Sequence, residues 1–240
     1  WDPCLKIYGN PTNTMSQTIA YIRTLPDGDI VTVEGIVTSP NFSSGGTEHT
    51  LQDATAGIIV YTGIFDAGLN QGDIVEITGT VSTYNGKLEI VPSDVSDITV
   101  ISSGNALPAV QDVSISDILT SPESYESELL KISNVSISGG TWPSSGADAN
   151  MMVSDGTDSL MMRIDKETDI DENTEPNGTF NITGVLSQFD MSSPYDEGYQ
   201  IQPRYYSDFQ MSQTIADIRT LPDGDIVTVP GLIPLCNVPT

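Results

Sequence analysis

The chain has 240 residues and a formal net charge of −25, from 33 acidic against eight basic side chains. Nucleic-acid binding is driven mainly by Lys and Arg displacing counterions, so this charge argues against a nucleic-acid partner; it suits solubility, cation binding or a salty exterior. No apolar run of roughly eighteen residues occurs, so no helical membrane insertion is expected.

Val, Ile, Thr, Ser and Gly are frequent, which favours an all-β chain with many turns. The length fits one large or two modest domains. The chain begins at Trp1 rather than Met, which reads as a processed or trimmed product without a visible signal peptide. Cys4 and Cys236 stand at opposite ends. That placement fits an end-to-end disulfide, within one molecule or between neighbours, better than two idle thiols, and with it an extracellular or cell-surface location. Four N-x-S/T sequons, at Asn41, Asn134, Asn177 and Asn181, are weak signals in a Ser/Thr-rich chain.

Residues 1–14 form a Pro/Asn-rich lead-in, with Lys6-Ile7-Tyr8 as a short edge strand. Residues 15–33, MSQTIAYIRTLPDGDIVTV, come next and recur at 211–229 with one difference, Tyr21 against Asp217. Each copy reads as a short helix and the start of a strand. Met15, Ile19 and Ile22 share one helical face, as do Met211, Ile215 and Ile218. Thr14 or Ser16 is placed to cap the first helix, and Pro26 and Pro222 stop the two copies. Strands follow at Val31–Thr38, Glu48–Gln52, Gly57–Thr62, Asp73–Val81, Leu88–Val91 and Val95–Ile101. Gly35 and Gly79 mark bends, Asp53-Ala54-Thr55-Ala56 a hairpin, and Asn85-Gly86 a two-residue hairpin turn. Residues 102–110 read as a linker.

The second half repeats this order with little shared identity. Val113–Leu119 stands in for the helix and Glu128–Ile137 for the first strand. A long loop, Gly139–Asn150, carries Trp142 and Pro143. Met151–Ser154 and Leu160–Ile164 form the hairpin, Thr179–Leu186 the fourth strand with Gly184 in place of Gly79, and Tyr199–Gln202 precedes Pro203 as Glu89–Val91 precedes Pro92. Ser207-Asp208-Phe209 echoes Ser96-Asp97-Ile98.

The pieces Leu51-Gln52-Asp53-Ala54-Thr55, Gly72-Asp73-Ile74-Val75-Glu76-Ile77-Thr78-Gly79 and Ile90-Val91-Pro92 resemble the OB-fold modules of secreted bacterial proteins, the type found beside extracellular nucleases and in surface-anchored proteins. Val153-Ser154-Asp155-Gly156-Thr157, Asn181-Ile182-Thr183-Gly184 and Ile201-Gln202-Pro203 repeat the likeness more loosely. The resemblance covers residues 15–101 and 110–209 and implies five-stranded, partly open barrels. Its motifs are turns, bulges and strand ends, so they speak to fold rather than function. The expected fold class is therefore all-β: two tandem OB-like barrels at 15–101 and 111–209, short helices, and a C-terminal extension, 210–240, that partly repeats 15–35.

No catalytic set is readable. His49 is the one histidine, and neither a Ser/His/acid set, H-E-x-x-H nor a P-loop occurs. Two cysteines are too few for a thiolate zinc site. The chain is thus expected not to be an enzyme. The eight cations are scattered singly; Arg204-Tyr205-Tyr206 is the best local patch for a nucleic acid, against the reading of a Tyr pair covering a barrel edge. No cofactor is certain, and calcium is the one weighed. Asp165, Glu167, Asp169, Asp171 and Asn173 space oxygens every second residue, as hard cations prefer. An EF-hand counted from Asp169 would need Gly and Glu where Thr174 and Phe180 stand, so the choice is between another calcium loop and a solvated acidic loop. Asp27 and Asp29, with Asp223 and Asp225, form a smaller set with the same alternatives.

The sharpest signal is the duplicated stretch. A copy of the first helix and strand, through Met211, Ile215, Ile218, Ile226, Val227 and Val229, is shaped to dock on a neighbouring molecule by strand addition. Head-to-tail contacts of that kind give filaments. The expected function is a secreted structural homopolymer, with the chain itself as partner. The alternatives are a truncated third module and a non-catalytic OB-fold binding module of a larger secreted nuclease or adhesin, reaching ligands through loops such as Gly139–Asn150.

Overall fold

The structure, a computed structural model, describes residues 16–211. Cys4 and Cys236 lie outside the described residues, as do Ile215, Ile218, Ile226, Val227 and Val229 of the expected assembly set. Met211 lies inside them and closes a strand of its own chain opposite Phe180. The single difference between the two copies falls, in the first, on Tyr21, which is 52% exposed.

Helix α1 (Ile19–Ile22) is one turn long. It starts at Thr18 rather than at Ser16, because two side chains converge there. Thr18 itself caps the turn, and Asp53 Oδ2 accepts the Ile19 N–H at 2.8 Å from across the barrel. Ile19 and Ile22 are fully buried. Six strands follow: β1 (Ile30–Val37), β2 (Thr47–Gln52), β3 (Gly57–Thr62), β4 (Ile74–Tyr84), β5 (Lys87–Val91) and β6 (Ile98–Ser102). They pair in the order β1-β2-β3-β5-β4 and β4 returns to β1, which closes five strands into a barrel with β6 added on β4. β1 serves both sides: Ile30 to Ile36 pair with β4, while Ile36 and Val37 pair with β2. The strand can press into that corner because Gly35 lacks a Cβ, which would sit 2.8 Å from Leu51 Cγ. Asn85 and Gly86 both have positive φ, +50° and +91°, the type I′ turn that matches strand twist.

The second half builds the same closure from β7 (Gln111–Val113), α2 (Ile115–Thr120), β8 (Leu129–Gly139), β9 (Ala149–Ser154), β10 (Ser159–Ile164), β11 (Phe180–Gln188), β12 (Tyr199–Gln202) and β13 (Phe209–Met211). The order β8-β9-β10-β12-β11 returns to β8, with β7 and β13 flanking. The closing pairs are antiparallel, and within each five-stranded barrel one pair is parallel, β3 with β5 and β10 with β12. Val113 ends a strand rather than entering the helix, since Ser114 and Asp117 form a reciprocal capping box that starts α2 at Ile115. Each barrel has its own core, around Leu51, Ile58, Ile77 and Ile90 in the first and Leu130, Met162, Phe180 and Ile201 in the second.

The repeated motifs prove to be turn chemistry. Asp53 Oδ1 accepts from the N–H groups of Thr55 and Ala56 in one hairpin, and Asp155 Oδ1 from those of Thr157 and Asp158 in the other. Asp97 accepts from the Ser93 N–H and Asp208 from the Arg204 N–H, which fixes the exit of β5 and of β12. A Cβ on Gly79 would lie 2.6 Å from Ile90 Cγ2, and one on Gly184 2.6 Å from the Gln202 carbonyl, so both positions admit the strand that ends in Val91-Pro92 or Gln202-Pro203. These atoms explain why the motifs recur where overall identity has faded.

Candidate binding site at the junction of the barrels

The barrels are docked through polar contacts that the chain order alone does not announce. Arg23 leaves α1 and reaches across to Glu126 Oε2 at 2.8 Å and Glu123 Oε2 at 2.9 Å. Glu126 is buried, and its other oxygen accepts the Leu88 N–H of β5 at 3.3 Å. Gln52 of β2 accepts the Leu129 N–H at 3.2 Å, and Arg204 donates to the Thr38 carbonyl at 3.2 Å. Phe42, Leu107, Leu129 and Val185 form an apolar cluster between the two cores. The segment expected as a linker takes part through Leu107, and Asn105 hydrogen-bonds the Gly72 carbonyl.

A cleft of about 290 Å³ remains between the two docked sheets. From the first barrel Glu48 and Lys87 line it; from the second, Asn150, Arg163, Asp165, Ser187, Gln188, Phe189, Gln200 and Gln202. At its edge the β4–β5 turn meets the loop 189–198. The Asp190 N–H donates to the Asn85 carbonyl at 2.7 Å, and fully buried Gln188 ties the loop down by donating to the carbonyls of Tyr195 and Glu197 at 2.7 and 2.9 Å. Three aromatic side chains stand around this joint with much of their surface in solvent: Tyr84 58%, Phe189 51% and Tyr195 39% exposed. Lys87 Nζ lies 6.0 Å from the Tyr84 ring centroid.

The charges around the cleft are compensated in pairs. Lys87 binds Glu48 at 2.8 Å and Arg163 binds Asp148 at 2.9 Å. Each of the six Lys and Arg side chains among the described residues has a carboxylate oxygen within 4.0 Å. The acids outnumber them. Burial lifts the Glu89 carboxyl to about 7, against the lowering pull of Lys87 and with Glu48 and Glu126 adding to the lift. Burial also raises Asp165 to about 6, and raises Glu126 and Glu128. Glu89 is 3% exposed and its Oε1 accepts no hydrogen bond; the nearest cation, Lys87, is 3.9 Å away. Burial at the junction therefore disfavours the charged form of these carboxyls, and Arg23 offsets it at Glu126.

The residues singled out from sequence are placed as follows. His49 is buried, with Nδ1 3.2 Å from the Ser39 carbonyl and Nε2 unpartnered, and burial lowers its pKa. Arg204 is buried against Asp208, and Tyr206 packs on Phe209 and donates to the Thr174 carbonyl, so this trio covers the barrel edge. In the acidic loop the oxygens serve separate backbone donors. Asp165 accepts from Glu167 N–H, Asp169 from Tyr206 N–H, and Asp171 from Gly146 N–H, while Asn173 donates to the Asp169 carbonyl. Among the described residues no three His, Cys, Asp or Glu side chains gather at metal-holding distances. Asp27 accepts from the Thr83 hydroxyl. Sequence reasoning missed the junction. Asn85-Gly86 flagged its turn, but Gln188 and Phe189 carry no motif, and the pairing of two distant loops is a tertiary fact.

No protein-family model matches the chain. Over 187 residues, 75% of its length, it is 28% identical to endonuclease YhcR of Bacillus subtilis strain 168, of which it spans 15%. Similar solved structures include a murine DNA-binding protein bound with double-stranded DNA (13% identity, 71% of this chain and 90% of that one, TM-score 0.39). A replication protein A heterotrimer bound to single-stranded DNA is another (13% identity, 76% and 51%, TM-score 0.34). These findings correct the expected partner set, copies of the chain itself with nucleic acid disfavoured. The physical reason lies in the argument from net charge. It counts the whole surface and weighs only phosphate neutralisation, whereas bases are also held by stacking on aromatic faces. No helix among the described residues is long and apolar enough to cross a membrane.

Proposed function

We propose that the chain is a non-catalytic, secreted OB-fold module of a larger nuclease, and that it presents single-stranded nucleic acid to that enzyme through the aromatic joint of Tyr84, Phe189 and Tyr195. The observation that carries this reading is the exposure of three aromatic rings where the end of β4 and the loop 189–198 meet, the turn after β4 hydrogen-bonded to the loop and the loop pinned by Gln188. Exposed aromatics on a fixed backbone give stacking at low ordering cost. The similarity to an endonuclease over part of its length supports the same reading. The acidic surface fits an exterior location.

The charge pairing sets the mode. With every described cation committed to a carboxylate, stacking rather than phosphate contact supplies the affinity. Duplex DNA keeps its bases stacked inside and offers such rings little; an unpaired strand offers every base. Fluorescence anisotropy of a labelled oligo-dT on the 240-residue chain tests this. Phe189→Ala and Tyr84→Ala each weaken single-strand binding roughly five- to a hundredfold, the range for one lost stacking ring, and duplex binds more weakly than either strand. Equal affinity for duplex and single strand, or rim variants that bind like the parent, contradicts the proposal.

A further inference from the structure

The cleft beneath the aromatic joint has a chemistry of its own. Two neighbouring carboxamides on β12, Gln200 and Gln202, share one face of the strand. Neither side chain hydrogen-bonds a described residue, although Gln202 is 7% exposed. Ser187 lies directly opposite Gln200 on β11, and Asn150 opposite Arg163 across β9 and β10. The result is a polar strip over four adjoining strands, roofed by Glu48 and Lys87 of the other barrel and edged by Phe189.

We propose that this cleft binds a neutral saccharide of one or two sugar units. Three other ligand classes fit poorly. A phosphate or carboxylate would find Lys87 and Arg163 already paired with Glu48 and Asp148, and would face Glu48 and Asp165 across the cavity. A cation would find no group of three ligating side chains among the described residues. An apolar molecule would strip water from the carboxamides and return no hydrogen bond. An uncharged polyol satisfies all of these groups. Carboxamides and paired ions each offer a donor beside an acceptor, which matches the vicinal hydroxyls of a sugar, and the Phe189 ring covers its C–H face. The volume of about 290 Å³ sits at the small end of ligand pockets. The site shares Phe189 with the strand-binding joint and abuts it through Gln188, which ties down the loop, and Lys87, which lies over Tyr84.

The test is isothermal titration and saturation-transfer NMR of the 240-residue chain with cellobiose, maltose and N,N′-diacetylchitobiose, and with glucose 1-phosphate as the charged counterpart. Saturable binding of at least one neutral sugar is expected, weakened at least tenfold in both Gln200→Ala and Gln202→Ala and unchanged in Ile64→Ala, an exposed side chain outside both the cleft and the joint. Circular dichroism and urea unfolding confirm that the carboxamide variants are folded. No saturable neutral sugar up to about 10 mM, tighter binding of glucose 1-phosphate, or carboxamide variants that bind like the parent would overturn the assignment. Loss of oligo-dT binding with sugar binding intact refutes the function proposed above and leaves the cleft standing.

Discussion

Replacing Glu89 by Gln separates two accounts of the barrel junction. Glu89 is buried, has one oxygen without a hydrogen bond, and holds its proton up to about 7 rather than 4.5. In the unfolded chain the same carboxyl ionises near its ordinary value. Between pH 4.5 and 7 the folded state therefore binds the proton and the unfolded state does not. The stabilisation is fully present below 4.5 and is lost as pH rises through 7. At about 1.4 kcal/mol per tenfold in acidity, the difference is about 3 kcal/mol for this one side chain. Gln is isosteric and always neutral, and Lys87 keeps Glu48 at 2.8 Å, so the variant loses little else. Urea unfolding of parent and variant at pH 5 and pH 8 measures the effect. The parent loses stability between those values and Glu89→Gln flattens most of that loss, standing about 2–3 kcal/mol above the parent at pH 8 and close to it at pH 5. A variant whose pH dependence parallels the parent's would refute the claim that Glu89 is protonated in the folded junction.

Four further outcomes follow from the structure. Arg23→Ala leaves Glu126 buried without its cation and costs about 3–5 kcal/mol in urea unfolding at pH 8, whereas the pair Arg23→Met with Glu126→Gln recovers most of that loss. Gly79→Ala forces a methyl to within 2.6 Å of Ile90 and 2.9 Å of the Val91 backbone, and destabilises by about 1–3 kcal/mol in the same assay. Gly68→Ala has nothing within 4 Å but a φ of +65°, so it costs about 1 kcal/mol through backbone strain alone. Acidification of the 240-residue chain from pH 8 to 5 raises its thermal midpoint, because the protons that Glu89 and Asp165 take up on folding outweigh the one that buried His49 gives up.

Much of the fold was legible because the turns announce themselves. Asn85-Gly86, the Asp53 and Asp155 hairpins and the two Pro-terminated strands are local chemistry, and local chemistry is written in neighbouring residues. The bend in β1 was readable from Gly35 for the same reason. Its counterpart in β8 was not: there the register shifts near Val135, beside Asn134 at φ +57°, with no glycine to mark it. The start of α1 was misplaced because Asp53, which accepts the Ile19 N–H beside the Thr18 cap, comes from the distant β2–β3 hairpin. The candidate site was almost illegible. Glu89 looks like an ordinary outward strand residue until a second barrel covers it. Gln188 is one glutamine among several until two loops meet around it. The net charge, read as a whole, concealed that local pairing and exposed rings decide what a patch can hold.

The measurement that bears most directly on the account is the salt dependence of oligo-dT binding to the 240-residue chain. If stacking on Tyr84, Phe189 and Tyr195 supplies the affinity and no free cation takes part, at most one phosphate is neutralised. Between 50 and 200 mM salt the affinity then falls by less than about threefold, and Phe189→Ala lowers it at every salt. A drop of about a hundredfold or more over that range, or the absence of saturable binding at any salt, contradicts it.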